Sequence, residues 1–251
     1  MLFQRACPYR SVIRVAVSLA FLAPSVPAWA ETIEIVGFGD SLMAGYGLGP
    51  DEGFPDVLER ELLELGYDVS VVDAGVSGDT TTGGLQRLEW SVPESADIVI
   101  VELGGNDALR GIDPELTRSN VNAMLELVIA RDQRPVLAGI LAPPNMGAEY
   151  EAAFNPIFPE IAESFGVPFY PFFLDGAMQE GLMLADGIHP SAAGVELMVE
   201  RFLPTILPVL DELTAANAPP DGLPPVDPAV PAATAEEVPE TPDMAAPVVT
   251  Q

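Results

Sequence analysis

Ile33-Glu34-Ile35-Val36-Gly37-Phe38-Gly39-Asp40-Ser41-Leu42 begins as a β-rich apolar run and ends in a Gly-Asp-Ser turn. Residues 33–36 read as a strand, and four more runs of the same kind follow at 69–72, 98–103, 136–140 and 167–173. These runs are nearly continuous in apolar residues, without alternation, which suits a parallel sheet buried on both faces. Helical patterns lie between them. Residues 54–65 carry Val57, Leu58, Leu62 and Leu65 at helical spacing, and 114–130 carry Leu116, Val121, Met124, Leu125 and Val128. A third stretch, 148–165, predicts a helix bent at Pro156 and Pro159. Ser191 is placed to cap a last helix. Strands alternating with helices, with no internal repeat, predict a three-layer α/β/α sandwich with right-handed crossovers.

The two ends of the chain read differently from this middle. Arg5, Arg10 and Arg14 precede an apolar run at 15–22, and Ala28-Trp29-Ala30 has the small-x-small pattern of a cleavage site. A signal peptide over residues 1–30 is expected, with export to the periplasm or out of the cell. As a membrane anchor the run is too short, since a span takes roughly 20 apolar residues, and Pro24 and Pro27 interrupt it. Beyond residue 213 the chain turns to Pro, Ala and acids without periodicity, so 214–251 is expected to be a disordered tail. The folded domain is then residues 31–213.

Charge and cysteine content exclude several chemistries. The formal net charge is −28, and losing the three signal arginines would make it −31. Such a field repels nucleic-acid phosphates and anionic membrane surfaces, so neither is an expected partner, and no stable membrane insertion is expected. Cys7, the only cysteine, lies within the signal. The mature chain would therefore have no thiolate nucleophile and no thiolate metal site. The scattered acids form no ligand cluster with His or Cys, and neither metal nor other cofactor is expected.

Ser41 follows the first strand, and ligands of open α/β sheets bind at the carboxyl ends of strands. Alone, a Gly-Asp-Ser triplet serves equally well as a helix cap. A serine becomes a nucleophile only when a base takes its proton, and His189 is the one histidine of the chain. It lies in Asp186-Gly187-Ile188-His189-Pro190, where a turn can bring the Asp186 carboxylate back to the ring. An exposed or capping histidine is the plainer alternative. Acyl transfer also needs donors for the developing oxyanion. Gly78, in Gly75-Val76-Ser77-Gly78-Asp79, offers a backbone N–H, and Asn106, in Gly104-Gly105-Asn106-Asp107, offers a side-chain amide. Either loop could be an ordinary turn.

Taken together, Ser41, Gly78, Asn106 and His189 resemble the landmark residues of the SGNH (GDSL-type) hydrolases, in the right order over residues 33–207. The chain is most similar to the bacterial periplasmic thioesterase I, lysophospholipase and arylesterase group. The resemblance implies a flavodoxin-like fold with a five-stranded parallel sheet in the order 2-1-3-4-5. It implies a Ser41–His189–Asp186 triad, with Ser41, Gly78 and Asn106 as the oxyanion hole. It also implies a small acyl ester or thioester as substrate, a monomer, and an acyl groove bordered by two loops. Leu109 and Ile112 on one, and Leu141, Ala142 and Met146 on the other, would line that groove. Relatives often carry Arg-Leu-Pro where this chain has Leu141-Ala142-Pro143, so its chain-length preference is expected to differ. A carbohydrate acetyl esterase, or a binding protein that keeps the fold without the chemistry, are the other readings of the same residues.

Overall fold

The structure is a computed structural model, and it describes residues 32–217. The expected signal peptide lies outside the described residues. Five strands form one parallel sheet in the order β2-β1-β3-β4-β5, as the resemblance implied. They are β1 (Ile33–Gly39), β2 (Val69–Gly75), β3 (Ile98–Glu102), β4 (Arg134–Ala138) and β5 (Phe169–Tyr170). The centre of the sheet is sealed on both faces: every residue of β3 is buried, and β1 is buried except at Glu34. This is why their sequences show no alternation.

Helices α1 (Phe54–Glu64) and α7 (Ala192–Asn217) pack together on one face. On the other lie α2 (Thr81–Ser91), α4 (Pro114–Ala130) and α6 (Ile157–Phe165). Helix α1 buries Phe54, Val57, Leu58 and Leu62, the stripe expected from its spacing, but Leu65 is its exposed C-cap. Helix α4 starts where Asp113 accepts a hydrogen bond from the Glu115 N–H at 3.0 Å, with Pro114 in the first turn. Ser191 caps α7 through the Gly194 N–H at 3.3 Å.

Several expectations are corrected. The stretch 148–165 is two helices, α5 (Ala148–Phe154) and α6, not one bent helix. Pro156 ends the first because it has no N–H to give, whereas Pro159 falls in the opening turn of α6, where no donor is needed. Only Phe169–Tyr170 of the expected fifth strand pairs with β4, because the flanking Pro168 and Pro171 cannot donate to a ladder. Helix α2 arises where the sequence reading placed no element, and the six-residue α3 (Gly105–Arg110) begins inside the loop read at 104–107. Helix α7 runs to Asn217, past the boundary expected at residue 213, and Leu213 packs against the core. Residues 218–251 lie outside the described residues.

Strand β2 is an open edge, with Val72 and Asp73 exposed. Its Val71 N–H is taken by the Glu59 carboxylate of α1 at 2.6 Å.

Candidate active site

The register of the sheet ends β1, β2 and β3 level. Gly39 pairs with Gly75 on one side and with Glu102 on the other. The turns that leave these strands carry Ser41, Gly78 and Asn106, and the loop between β5 and α7 brings His189 to the same edge. Ser41 Oγ is 2.8 Å from His189 Nε2, and His189 Nδ1 is 2.8 Å from Asp186 Oδ2. The other Asp186 oxygen accepts the Ile188 N–H at 2.9 Å and the His189 N–H at 3.1 Å. Asp186 therefore folds its own loop back on itself, as its spacing from His189 suggested. The His189 ring, with the two backbone N–H groups, pulls the Asp186 carboxyl down to about 2, although its side chain is 38% exposed. The Tyr46 ring lies 4.5 Å from the imidazole and covers it. Within this chain a hydroxyl can donate to a neutral imidazole while the far nitrogen donates to a carboxylate, the arrangement that activates a serine.

Below the Ser41 turn the site is built from buried polar groups. Asp40 is 2% exposed, and its side chain accepts from the Leu42 N–H at 3.0 Å and from Asn106 Nδ2 at 2.9 Å. This bond ties the asparagine amide to the serine turn. Glu102, fully buried at the end of β3, accepts the Asp40 N–H at 3.2 Å, and its second oxygen has no partner among the described residues. Burial, and then the charge of Asp40, push the Glu102 carboxyl well above the usual range. Burial raises Asp40 as well, but its donors Leu42 and Asn106 oppose the rise. The negative charge of the pair thus rests on Asp40, which has the donors, and Glu102 is the neutral member. Gly39 has to be glycine here: a Cβ would come within 2.5 Å of the Glu102 carboxyl and 2.7 Å of Met43 Cβ.

Arg87 closes the platform. It donates to the carbonyls of Gly39 and Ala74 at 2.8 Å and to Asp79 at 2.7 Å, with its guanidinium 4.1 Å above the Phe38 ring. Sequence reasoning missed Tyr46, Arg87 and Glu102 as parts of the site. For Glu102 there was a signal, a lone acid closing an otherwise apolar strand.

Gly78 takes φ +83°, a conformation that favours glycine, and its N–H meets no acceptor among the described residues. Arg110 donates to the Gly78 carbonyl at 2.8 Å and lies 3.4 Å from Asn106 Oδ1, so the two loops are linked. Of the residues expected along an acyl groove, Leu109 and Leu141 are 47% and 44% exposed, while Ile112 and Met146 are half-buried. The two loops meet through Met146, packed at Gly111, and through Tyr150, which donates to the Ile112 carbonyl at 2.8 Å. Ala142 is buried, with its N–H held by Asn155 at 2.8 Å, and it offers no open wall. Among the described residues no group of three or more His, Asp or Glu could hold a metal ion.

A model of the GDSL-like lipase/acylhydrolase family matches residues 38–197, a span that holds all four loops. Esterase TesA of Pseudomonas aeruginosa is 39% identical over 194 residues, 76% of this chain and 96% of the relative. An arylesterase of Vibrio mimicus is 37% identical and covers 71% of this chain and 90% of its own length. Thioesterase 1/protease 1/lysophospholipase L1 of Escherichia coli is 39% identical, covering 65% of this chain and 77% of its own. Among solved structures, that of TesA superimposes with a TM-score of 0.67 at 38% identity, over 70% of this chain and 99% of that one. AlinE4, an SGNH-hydrolase family esterase, gives a TM-score of 0.60 at 42% identity, over 72% and 97%. The chain therefore belongs to the GDSL-like lipase/acylhydrolase family, and it is an ester hydrolase.

Proposed function

We propose that the enzyme hydrolyses carboxylic esters and thioesters through an acyl-enzyme on Ser41. The observation that carries this reading is the unbroken pair of 2.8 Å contacts from Ser41 through His189 to Asp186. His189 Nε2 takes the hydroxyl proton as Oγ attacks the acyl carbonyl, and the carbonyl π electrons move onto oxygen. Asp186 accepts the Nδ1 proton in a hydrogen bond, which fixes the tautomer and stabilises the imidazolium. The oxyanion is met by the Ser41 and Gly78 N–H groups and by the Asn106 amide proton not engaged by Asp40. Collapse expels the alkoxide, protonated by His189, or a thiolate. Water then repeats the sequence and releases the acid.

Aryl esters, acyl thioesters and lysophospholipids are the substrate types, by likeness to relatives with those names. The apolar Leu109, Ile112, Leu141 and Met146 support short to medium acyl chains, each buried methylene contributing about 0.8 kcal/mol. A fluorophosphonate is expected to label Ser41 and stop turnover. Labelling of another serine, with Ser41→Ala still active, overturns the assignment. Aryl esters of graded chain length, acyl thioesters, lysophospholipid and acetylated sugars then rank the substrates, and activity confined to acetylated sugars would favour the carbohydrate-esterase reading. Export also belongs to this proposal: it rests on the signal pattern in residues 1–30, and N-terminal sequencing of the mature protein, expected to begin at Glu31, tests it.

A further inference from the structure

The described residues contain seven arginines, and in residues 31–213 acids outnumber them 32 to seven. Arg60, Arg87, Arg118, Arg131, Arg134 and Arg201 each lie 2.6–3.9 Å from a carboxylate. Among the described residues Arg110 alone has no carboxylate partner. Its Nη2 instead donates to the Gly78 carbonyl at 2.8 Å and reaches Asn106 Oδ1 at 3.4 Å. On so acidic a surface, a cation that avoids every acid and rests on two neutral acceptors is held for what those acceptors do.

We propose that Arg110 is the positioning residue of the oxyanion hole. This rests on the Ser41 reading above, in which Gly78 and Asn106 are the other two donors. Arg110 reaches an oxygen on each. Gly78 has no side chain to restrain it and sits at φ +83°, and the peptide that follows it is held from both ends, by the Asp79 N–H on the Val76 carbonyl at 3.0 Å and by Arg110 on the Gly78 carbonyl. Asn106 carries a reversible amide. Asp40 accepts from its nitrogen side at 2.9 Å, and the Arg110 guanidinium faces its oxygen side. An anion on one end and a cation on the other fix which end is which, and the cation at the oxygen draws amide electron density toward itself, which strengthens the free N–H as a donor. Both contacts come from Nη2, one N–H toward each acceptor, and the planar guanidinium holds those two N–H groups in fixed directions, which an ammonium on a flexible stem does not.

The test uses Arg110→Ala and Arg110→Lys in the full enzyme, with a neutral aryl ester and an anionic acyl thioester as substrates. An anchor for transition-state donors lowers kcat and kcat/KM together and leaves KM unchanged. The expected fall for Arg110→Ala is about ten- to a hundredfold on both substrates, below the loss of a whole oxyanion donor. Arg110→Lys is expected to fall between Arg110→Ala and the parent. Arg110 is exposed at the surface, so the melting temperature should hold, and Arg110→Lys carries the test if Arg110→Ala is unstable. A kcat within twofold of the parent on the neutral ester in both variants overturns the proposal. So does a loss confined to KM for the anionic substrate, which would make Arg110 a ground-state anion contact. Either failure leaves the Ser41 reading standing, because that is decided by labelling and by Ser41→Ala.

Discussion

Asp186 and Glu102 both bear on the Ser41 turn, one from the surface loop before α7 and the other from beneath, at the end of β3. Asp186 is half in solvent, and the His189 ring with two backbone N–H groups draws its carboxyl down to about 2. Glu102 is fully buried, with a single N–H to accept among the described residues, so burial drives it the other way. The contrast teaches that exposure alone does not mark the less important acid. A carboxylate that must stay charged beside an imidazole is best kept near water and given donors. A carboxyl that only holds a turn can be buried, provided it gives up its charge.

The largest expected effect comes from the exposed side. His189→Ala should lower kcat by at least about a thousandfold. It also removes the chief cause of the low Asp186 value, so a carboxyl titration followed by NMR should show Asp186 moving up toward the usual range. If it stays near 2, the backbone donors hold it without the ring. Asp186→Asn should lower kcat by about a hundredfold or more, because an amide cannot fix the same tautomer. A variant with near-parent kcat would end the role given to this carboxylate.

Smaller effects test the buried side. Gly39→Ala forces a methyl against the Glu102 carboxyl and Met43, and should destabilise by roughly 1–3 kcal/mol in chemical denaturation. An unchanged midpoint would mean that Glu102 can move aside. The smallest effect is a difference in pH slope. Asp186 has a depressed folded value, so its stabilisation is present above about pH 4 and is lost as pH falls toward 2. The melting temperatures of parent and Asp186→Asn should therefore converge over that interval. Glu102 has a raised folded value, so ionisation opposes folding increasingly as pH rises above the usual glutamate range, with Asp40 the carboxylate that faces it. Glu102→Gln removes that decline, and its melting temperature should gain on the parent's as pH rises. Parallel curves would mean that the Glu102 carboxyl is not raised in the folded protein.

The exposed side was legible in the sequence and the buried side was not. Asp186 and His189 are three residues apart, and a lone histidine leaves little choice of base. The central strands were equally plain, because burial on both faces writes itself as an apolar run. Glu102, Arg87 and Arg110 take their meaning from partners across the fold, and no local spacing records those. Helix α2 was missed because Thr81-Thr82-Gly83-Gly84 opens it with poor helix formers, which tertiary packing overrides. Ala142 was expected beside the acyl chain and is buried, since nothing in an irregular loop says which way a residue turns.

The bond from Val71 to Glu59 has a consequence for molecules in company. An edge strand with a free N–H is a template on which another chain can add a strand, the first step of fibrillar association. Glu59 occupies that donor on β2, and at the other edge β5 is two residues long between prolines that have nothing to donate. Glu59→Ala would open that position on the longer edge, while the Gly75 N–H stays on the Asp73 carboxylate at 2.7 Å. Only water or the carbonyl of a neighbouring molecule could then satisfy Val71, and at high protein concentration the neighbour competes.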